Sequence, residues 1–421
     1  MLGLPHTMTI NPRTTPFLTC AFTGKVWHLC RMLHDRGYEV VHLGVEGSAP
    51  SCAEHVSVAS RRDWKKLYGN RKKSEFYDIS EDGDKREYMD GFARRAREAI
   101  SRRCGDPWTS IVCVTWGGAQ WRAVEGLAQF VVETGIGYPN AAAKYRVYES
   151  HAWMNFHLGK ADNAGGDTWY WTVIPLALDP DLYGPVTSKK LDYALYMGRI
   201  LDNKGVGIAC QVARGLKIPL KIVGTGDPSP YLGPGVTYQG PVGAEKRRRL
   251  LREARMLFAP SRYVEPLGGI VLDAAMSGCP TITTDWGAYP ETVLHGVTGY
   301  RCRTLDHFTW AARNAHKISP ADCRQWAEDN FSLDRIALMY EEFFQMVLDY
   351  RKDSTWPGSR GLRPPGEEHL DHDGWYTLRP GRTQLDWLAK RYPAKIAAGR
   401  RAKKGRSSCQ TSTAPRSRAP K

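Results

Sequence analysis

At 421 residues with 42% hydrophobic side chains, the chain holds enough material for two ordinary domains and an extension, and its composition excludes a disordered protein. Its net charge of +15 is unevenly placed: residues 389–421 carry 11 Lys or Arg and no acid, which leaves +4 for everything before them. No apolar run reaches the roughly 18 residues that a bilayer span needs, so no transmembrane segment is expected. Met1 to Pro16 has neither a basic start nor a continuous apolar core, so no signal peptide is expected either. Ten cysteines without a C-x-x-C pair argue against a structural zinc or a disulfide framework and for a reducing, cytoplasmic location.

In chain order, Phe17 to Thr23 reads as a first strand and Gly24 as a turn. Val26 to Arg36 reads as a helix closed by Gly37, and Glu39 to Gly44 as the next strand. Lys85 to Arg103 is a basic amphipathic helix, followed by a strand from Ser110 to Trp116 and a turn at Gly117-Gly118. Strands at 130–133, 145–149 and 170–174 complete the first half. Pro175 to Pro185 is a proline-studded connection, and a second pattern starts at Ala194. It runs strand 194–197, helix 206–214, strands 220–224 and 236–239, helix 244–253, strand 256–259, helix 269–277 and strand 281–284, with helices to Tyr350. This alternation predicts an α/β protein with parallel sheets. The domains are 1–178 and 186–350, then a linker or extension at 351–388 and a flexible basic tail at 389–421. That tail is too rich in Ala, Gly, Ser and Pro to bury a core, and its charge admits contact with a polyanion.

Residues 255–299 are the most informative stretch. The apolar strand 256–259 ends at Pro260-Ser261, and Gly268 and Gly269 let the backbone come close to a ligand at the start of a helix. Glu265 stands before that helix, facing a cleft, and Asp273 stands within it, where it can accept from ribose hydroxyls. Arg199 and Lys204 follow the first strand of the second half, at the carboxyl end of a parallel sheet, where open α/β folds bind ligands. Both cations suit a diphosphate. Gly224 and Gly226 end the next strand in the same manner, and Asp285 to Glu291 follow strand 281–284. Glu291 is placed to cap the helix after it.

Together these segments resemble retaining glycosyltransferases with the GT-B fold, the large family four, whose E-x7-E signature appears here as Glu265-x7-Asp273. The second acid is one methylene shorter than the family's Glu. Arg199 and Lys204 resemble the family's GR…EKG motif, Gly224 to Asp227 its VGDGP turn, and 285–291 its GGxPE turn. The resemblance implies two Rossmann-like domains facing a central cleft, with the last helix crossing back to the first domain. It implies a UDP- or GDP-sugar donor on the C-terminal domain, an acceptor on the N-terminal one, and transfer with retention. Arg199 and Lys204 would hold the diphosphate, Asp273 the ribose, and Glu265 the sugar. Gly24 falls where the family has a glycine-rich loop near the diphosphate, although its second glycine is absent and Lys25 follows. His151, with Glu149 as rival, falls where relatives carry a His contacting the sugar.

Residues 132–137 and 145–155 also resemble glycosyltransferase-like proteins of tailed phages and large viruses. No Asp-x-Asp follows a strand and no H-x3-H pair occurs, so the expected enzyme uses no metal and no cofactor. A GT-B nucleotide-sugar epimerase is the rival enzyme. A nucleic-acid-binding protein with a degenerate transferase body is the rival of another class. The acceptor stays open among saccharide, protein, lipid and modified DNA.

Overall fold

The computed structural model describes residues 1–352 save 12–19, 72–76, 78–81, 162–167 and 169. The expectations for 389–421, and for the extension beyond Lys352, lie outside the described residues. The first half runs α1 (Ala21–Asp35), β1 (Val41–Val45), β2 (Glu54–Ala59), α2 (Arg61–Tyr68), α3 (Gly83–Arg103), β3 (Ile111–Val114), α4 (Gly117–Val124), β4 (Phe130–Ile136), β5 (Tyr145–Tyr148), α5 (His151–Lys160) and β6 (Thr172–Val173). The second runs β7 (Ala194–Met197), α6 (Val206–Gly215), β8 (Leu220–Val223), β9 (Val236–Tyr238), α7 (Ala244–Glu253), β10 (Met256–Ala259), α8 (Gly269–Met276), β11 (Thr281–Thr284), α9 (Tyr289–Thr292), β12 (Gly299–Cys302), α10 (Leu305–Asn314), α11 (Pro320–Phe331) and α12 (Leu333–Lys352). Both halves belong to one compact unit.

The second half is a parallel sheet in the order β12-β11-β10-β7-β8-β9. Its order reverses between β7 and β10, the switch point at which doubly wound sheets open a crevice beyond their carboxyl ends. All four residues of β7 and all four of β10 are buried, as strands covered on both faces must be. The first half has the same plan, reached differently. β1 pairs with β2, and β3, β4, β5 and β6 form a second parallel ladder. Met1 to Leu4 joins the two: Leu2 bridges Leu43, and its amide donates to the Cys113 carbonyl at 2.9 Å.

That join corrects two expectations. The link between β1 and β3 is made by the first residues, where Leu2 and Leu4 are buried; of the strand expected at 17–23, residues 17–19 lie outside the described residues and Cys20 to Thr23 form no strand. Ala21, Phe22 and Thr23 begin α1 instead, since Thr23, Val26, Leu29, Cys30 and Leu33 bury one helical face. Gly24 therefore sits in the first turn of a helix and forms no loop turn. Gly117 and Gly118 likewise open α4. β2 and α2 had no counterpart in the sequence pattern.

α12 returns to the first half. Ile336, Ala337, Tyr340, Phe343, Phe344 and Val347 recur at helical spacing and pack with Val26, Leu29 and Leu33 of α1. The outgoing connection lies beside the returning one, because the Leu178 amide donates to Phe331 at 2.7 Å and the Leu333 amide to Leu178 at 2.9 Å.

Candidate active site

Two loops meet at the switch point of the second sheet. The loop after β7 carries Arg199, a short 3-10 turn over Asp202–Lys204, and Gly205 in a left-handed conformation. The loop after β10 carries Ser261, Tyr263 and Glu265. The Lys204 ammonium donates to both Glu265 oxygens, at 2.8 and 3.1 Å, and to the Tyr263 hydroxyl. Ser261 Oγ donates to the same carboxylate at 2.8 Å and lies 3.0 Å from the Tyr289 hydroxyl. Glu265 is only 7% exposed, so its charge is sustained by this cation and hydroxyl. Burial, and then the Glu265 charge, push the hydroxyls of Tyr196, Tyr263 and Tyr289 far above their ordinary range, so all three stay neutral donors.

The sequence-predicted glycines have packing reasons. Gly224 ends β8 at φ +141°, and a Cβ there would overlap the Gly198 carbonyl oxygen. A Cβ at Gly226 would come within 2.8 Å of the Ile200 carbonyl oxygen. These contacts bring the ends of β7 and β8 together and so hold Arg199, whose carbonyl accepts from the Tyr196 hydroxyl at 2.8 Å. Gly268 caps α8 in a left-handed conformation against Tyr289, and Gly269 opens the helix beside Leu176 of the connection.

Asp273, in the second turn of α8, is engaged within the protein: its carboxylate accepts from the Tyr183 hydroxyl and from the Arg247 guanidinium. Burial and the Asp273 charge hold Tyr183 well above its ordinary pKa. Sequence reasoning missed both partners. The signal for Arg247 was present, since it shares a helical face with buried Leu250 and Leu251 at i+3 and i+4.

On the side of the first half, β5 delivers Glu149, Ser150 and His151, and the two rivals separate. Glu149 turns inward and pairs with Lys25 of α1 at 2.7 Å, while Lys25 also donates to the Gly135 carbonyl at 3.0 Å. His151 opens α5 and meets the second half. One Glu291 oxygen accepts from the His151 amide at 2.8 Å and lies 3.1 Å from its Nδ1. The other accepts from the Ala152 amide at 2.9 Å. Glu291 thus caps α5, 140 residues away in sequence, and not the helix that follows it. That hydrogen bond raises the His151 pKa against the opposing effect of burial. Burial would raise the Glu291 pKa, but its bonds to His151 and the two amides outweigh this and lower it. Ser150 Oγ adds a 2.6 Å bond to the carbonyl of Pro266, next to Glu265.

Among the described residues, no three His, Cys, Asp or Glu are grouped to hold a metal ion, and no helix is long and apolar enough to cross a membrane.

Residues 192–316, which include Arg199, Lys204, Glu265, Asp273 and Glu291, match the family described as glycosyl transferases group 1. Glycogen synthase from two strains of Mycobacterium tuberculosis is 30% identical over 126 residues, 27% of this chain and 30% of the synthase. The chain thus spans less than a third of the curated relatives it matches. Among solved structures, sucrose-phosphate synthase from Thermosynechococcus elongatus superposes with a TM-score of 0.61 at 17% identity, over 83% of this chain and 98% of that one. A glycosyltransferase involved in avilamycin A biosynthesis gives 0.57 at 22%, over 78% and 90%. Anabaena HepE, in complex with UDP-glucose, gives 0.54 at 13%, over 80% and 98%. The fold is GT-B, an α/β architecture with parallel sheets.

Proposed function

We propose that the protein is a glycosyltransferase that moves a sugar from a nucleotide-diphosphate sugar to an acceptor. The observation that carries this reading is the Lys204–Glu265 pair at the switch point of the second sheet, with Arg199 on the same loop. Breaking the glycosidic bond to a diphosphate builds negative charge on the leaving group, so two cations aimed at that place lower the barrier electrostatically. Lys204 and Arg199 take that role without a metal, Glu265 orients the sugar hydroxyls, and Asp273, held by Arg247 and Tyr183, faces the ribose. His151 approaches the sugar from the other side. UDP and GDP sugars are the donor candidates, and the HepE complex with UDP-glucose favours the first. Transfer with retention, in the cytoplasm, is the expected outcome. The acceptor class, whether saccharide, protein, lipid or modified DNA, is for the experiment to name.

Mass spectrometry of the full chain incubated with a panel of UDP- and GDP-sugars and candidate acceptors tests the proposal. A product heavier than its acceptor by one sugar is expected, whereas an isomerised donor with no acceptor gain would replace transfer by epimerisation. Glu265→Gln should cut turnover by about 10²-fold, the scale of losing one transition-state contact, while nucleotide affinity stays within about twofold. Full turnover in this variant would remove Glu265 from the reaction.

A further inference from the structure

The contact between Glu291 and α5 does more than cap a helix. Its carboxylate takes three hydrogen-bond donors from one turn of the opposite half: two backbone amides and the His151 ring. The segment that presents it also encloses Glu265. The Ala288 amide donates to the Glu265 carbonyl at 3.0 Å, a Cβ on Gly287 would overlap the Glu265 backbone, and the Tyr289 hydroxyl meets the Ser261 hydroxyl that supports the Glu265 carboxylate. Ser150 fastens the same turn of α5 to Pro266. Glu265 and His151 come from different halves of the chain, yet they share one hydrogen-bonded frame in which Glu291 is the only carboxylate facing α5 among the described contacts. Its own helix, α9, has four residues, too short to account for the carboxylate's direction.

We infer that Glu291 is a positioning residue for the proposed sugar transfer: it clasps the first turn of α5 to the turn that backs Glu265 and fixes the His151 ring by Nδ1, leaving Nε2 for the substrate. The inference rests on the proposed glycosyl transfer. It assigns Glu291 no contact with substrate. A carboxylate on the first amides of a ten-residue helix is matched to that helix's dipole as well. Glu291 is the charged group set against His151, while Glu149, two residues earlier, is occupied by Lys25.

The test uses the full chain and two readouts. NMR titration of His151 should give a pKa above the ordinary 6.5 in the wild type and a lower one in Glu291→Gln, which keeps the side chain's size and removes its charge. An unchanged His151 titration would overturn the clasp whether or not the protein transfers sugar. With a donor and acceptor in hand, Glu291→Gln should lower kcat by about tenfold, within the range for a mispositioned catalytic contact, with donor KM and UDP affinity nearly unchanged. The His151 inflection in the rate–pH profile should move down with it. His151→Ala combined with Glu291→Gln should be no slower than His151→Ala alone, because both remove one unit. Multiplying losses, or a Glu291→Gln variant with full kcat, would reduce Glu291 to a helix cap. Absence of turnover in the wild type across the panel would instead defeat the transferase reading and, with it, the positioning role, while the titration would still report whether the clasp exists.

Discussion

The two sides of the candidate site are built from different materials. On the second half, the glycines of the site loops pack backbone on backbone, beside the Lys204–Glu265 pair: Gly224 fits against the Gly198 carbonyl and Gly205 against the Pro260 carbonyl, with no room for a Cβ at either place. On the first half, the corresponding glycines fit against carboxylates, Gly117 against Glu133 and Gly137 against Glu149. Those acids are buried and paired: Glu133 accepts from the Tyr138 hydroxyl at 2.7 Å and from the Ala142 and Ala143 amides at 2.7 and 2.8 Å. Glu149 is held by Lys25. Backbone packing fixes geometry against everything except a change at the glycine. A frame of buried carboxylates depends on the donors that satisfy their charge and fails when one of them is removed. The glycines of the second half are therefore seated by shape, and those of the first half against buried charge.

The sharpest break of that contrast is Gly224→Ala. The added methyl meets a carbonyl that cannot move without shifting β7, and φ +141° is closed to an L side chain. Overpacking and backbone strain together should cost about 4 kcal/mol, read as a fall in the denaturation midpoint, and nucleotide affinity should fall with it. Wild-type stability in this variant would mean that the β7 and β8 loops yield easily and that the contrast is false.

Next in size is Lys25→Met, which strands the buried Glu149 carboxylate. Breaking a buried pair from one side costs about 3 kcal/mol. Adding Glu149→Gln should restore most of it, which no second change could do for Gly224→Ala. If the single variant is as stable as the wild type, Glu149 has another route to compensation and the first half is not held by charge.

The same difference in material explains what could be read from sequence. Strands β7 and β10 lie where the apolar runs place them, because a doubly wound parallel sheet buries them as short continuous hydrophobic segments. Glu265, Lys204 and Arg199 were legible for the same reason: each follows the carboxyl end of a well-marked strand. The first half was harder. Its β1 and β3 are linked by a single bridge at Leu2, recognisable only from pairing with Leu43 and Cys113, and residues 21–23, apolar enough to read as part of a strand, begin a helix instead. The partners of Asp273 and Glu291 lie 90, 26 and 140 residues away. No local pattern encodes such long-range contacts. Arg247 alone left a trace, in its spacing from Leu250 and Leu251.

The smallest predicted effect concerns the Glu291 contact between the two sides, and it is a matter of pH. His151 has a folded pKa raised above its ordinary 6.5, so its contribution to stability is full below that value and is lost as pH rises through the folded pKa. Glu291 has a folded pKa below its ordinary 4.5, so its contribution is present above 4.5 and is lost as pH falls through the folded pKa. The clasp is therefore strongest between about pH 4.5 and 6.5 and weakens above, where the two amide bonds to the carboxylate remain and the charge on the ring does not. The His151 side chain is 69% exposed, so solvent screening confines the ionic part to less than about 1 kcal/mol. The difference in thermal midpoint between wild type and Glu291→Gln should accordingly be larger at pH 5.5 than at pH 8.5, by roughly 1–2 °C, and should shrink with added salt at the lower pH. A difference that grows toward pH 8.5 would mean that His151 is not the titrating partner, and that the join is held by the two amide bonds alone.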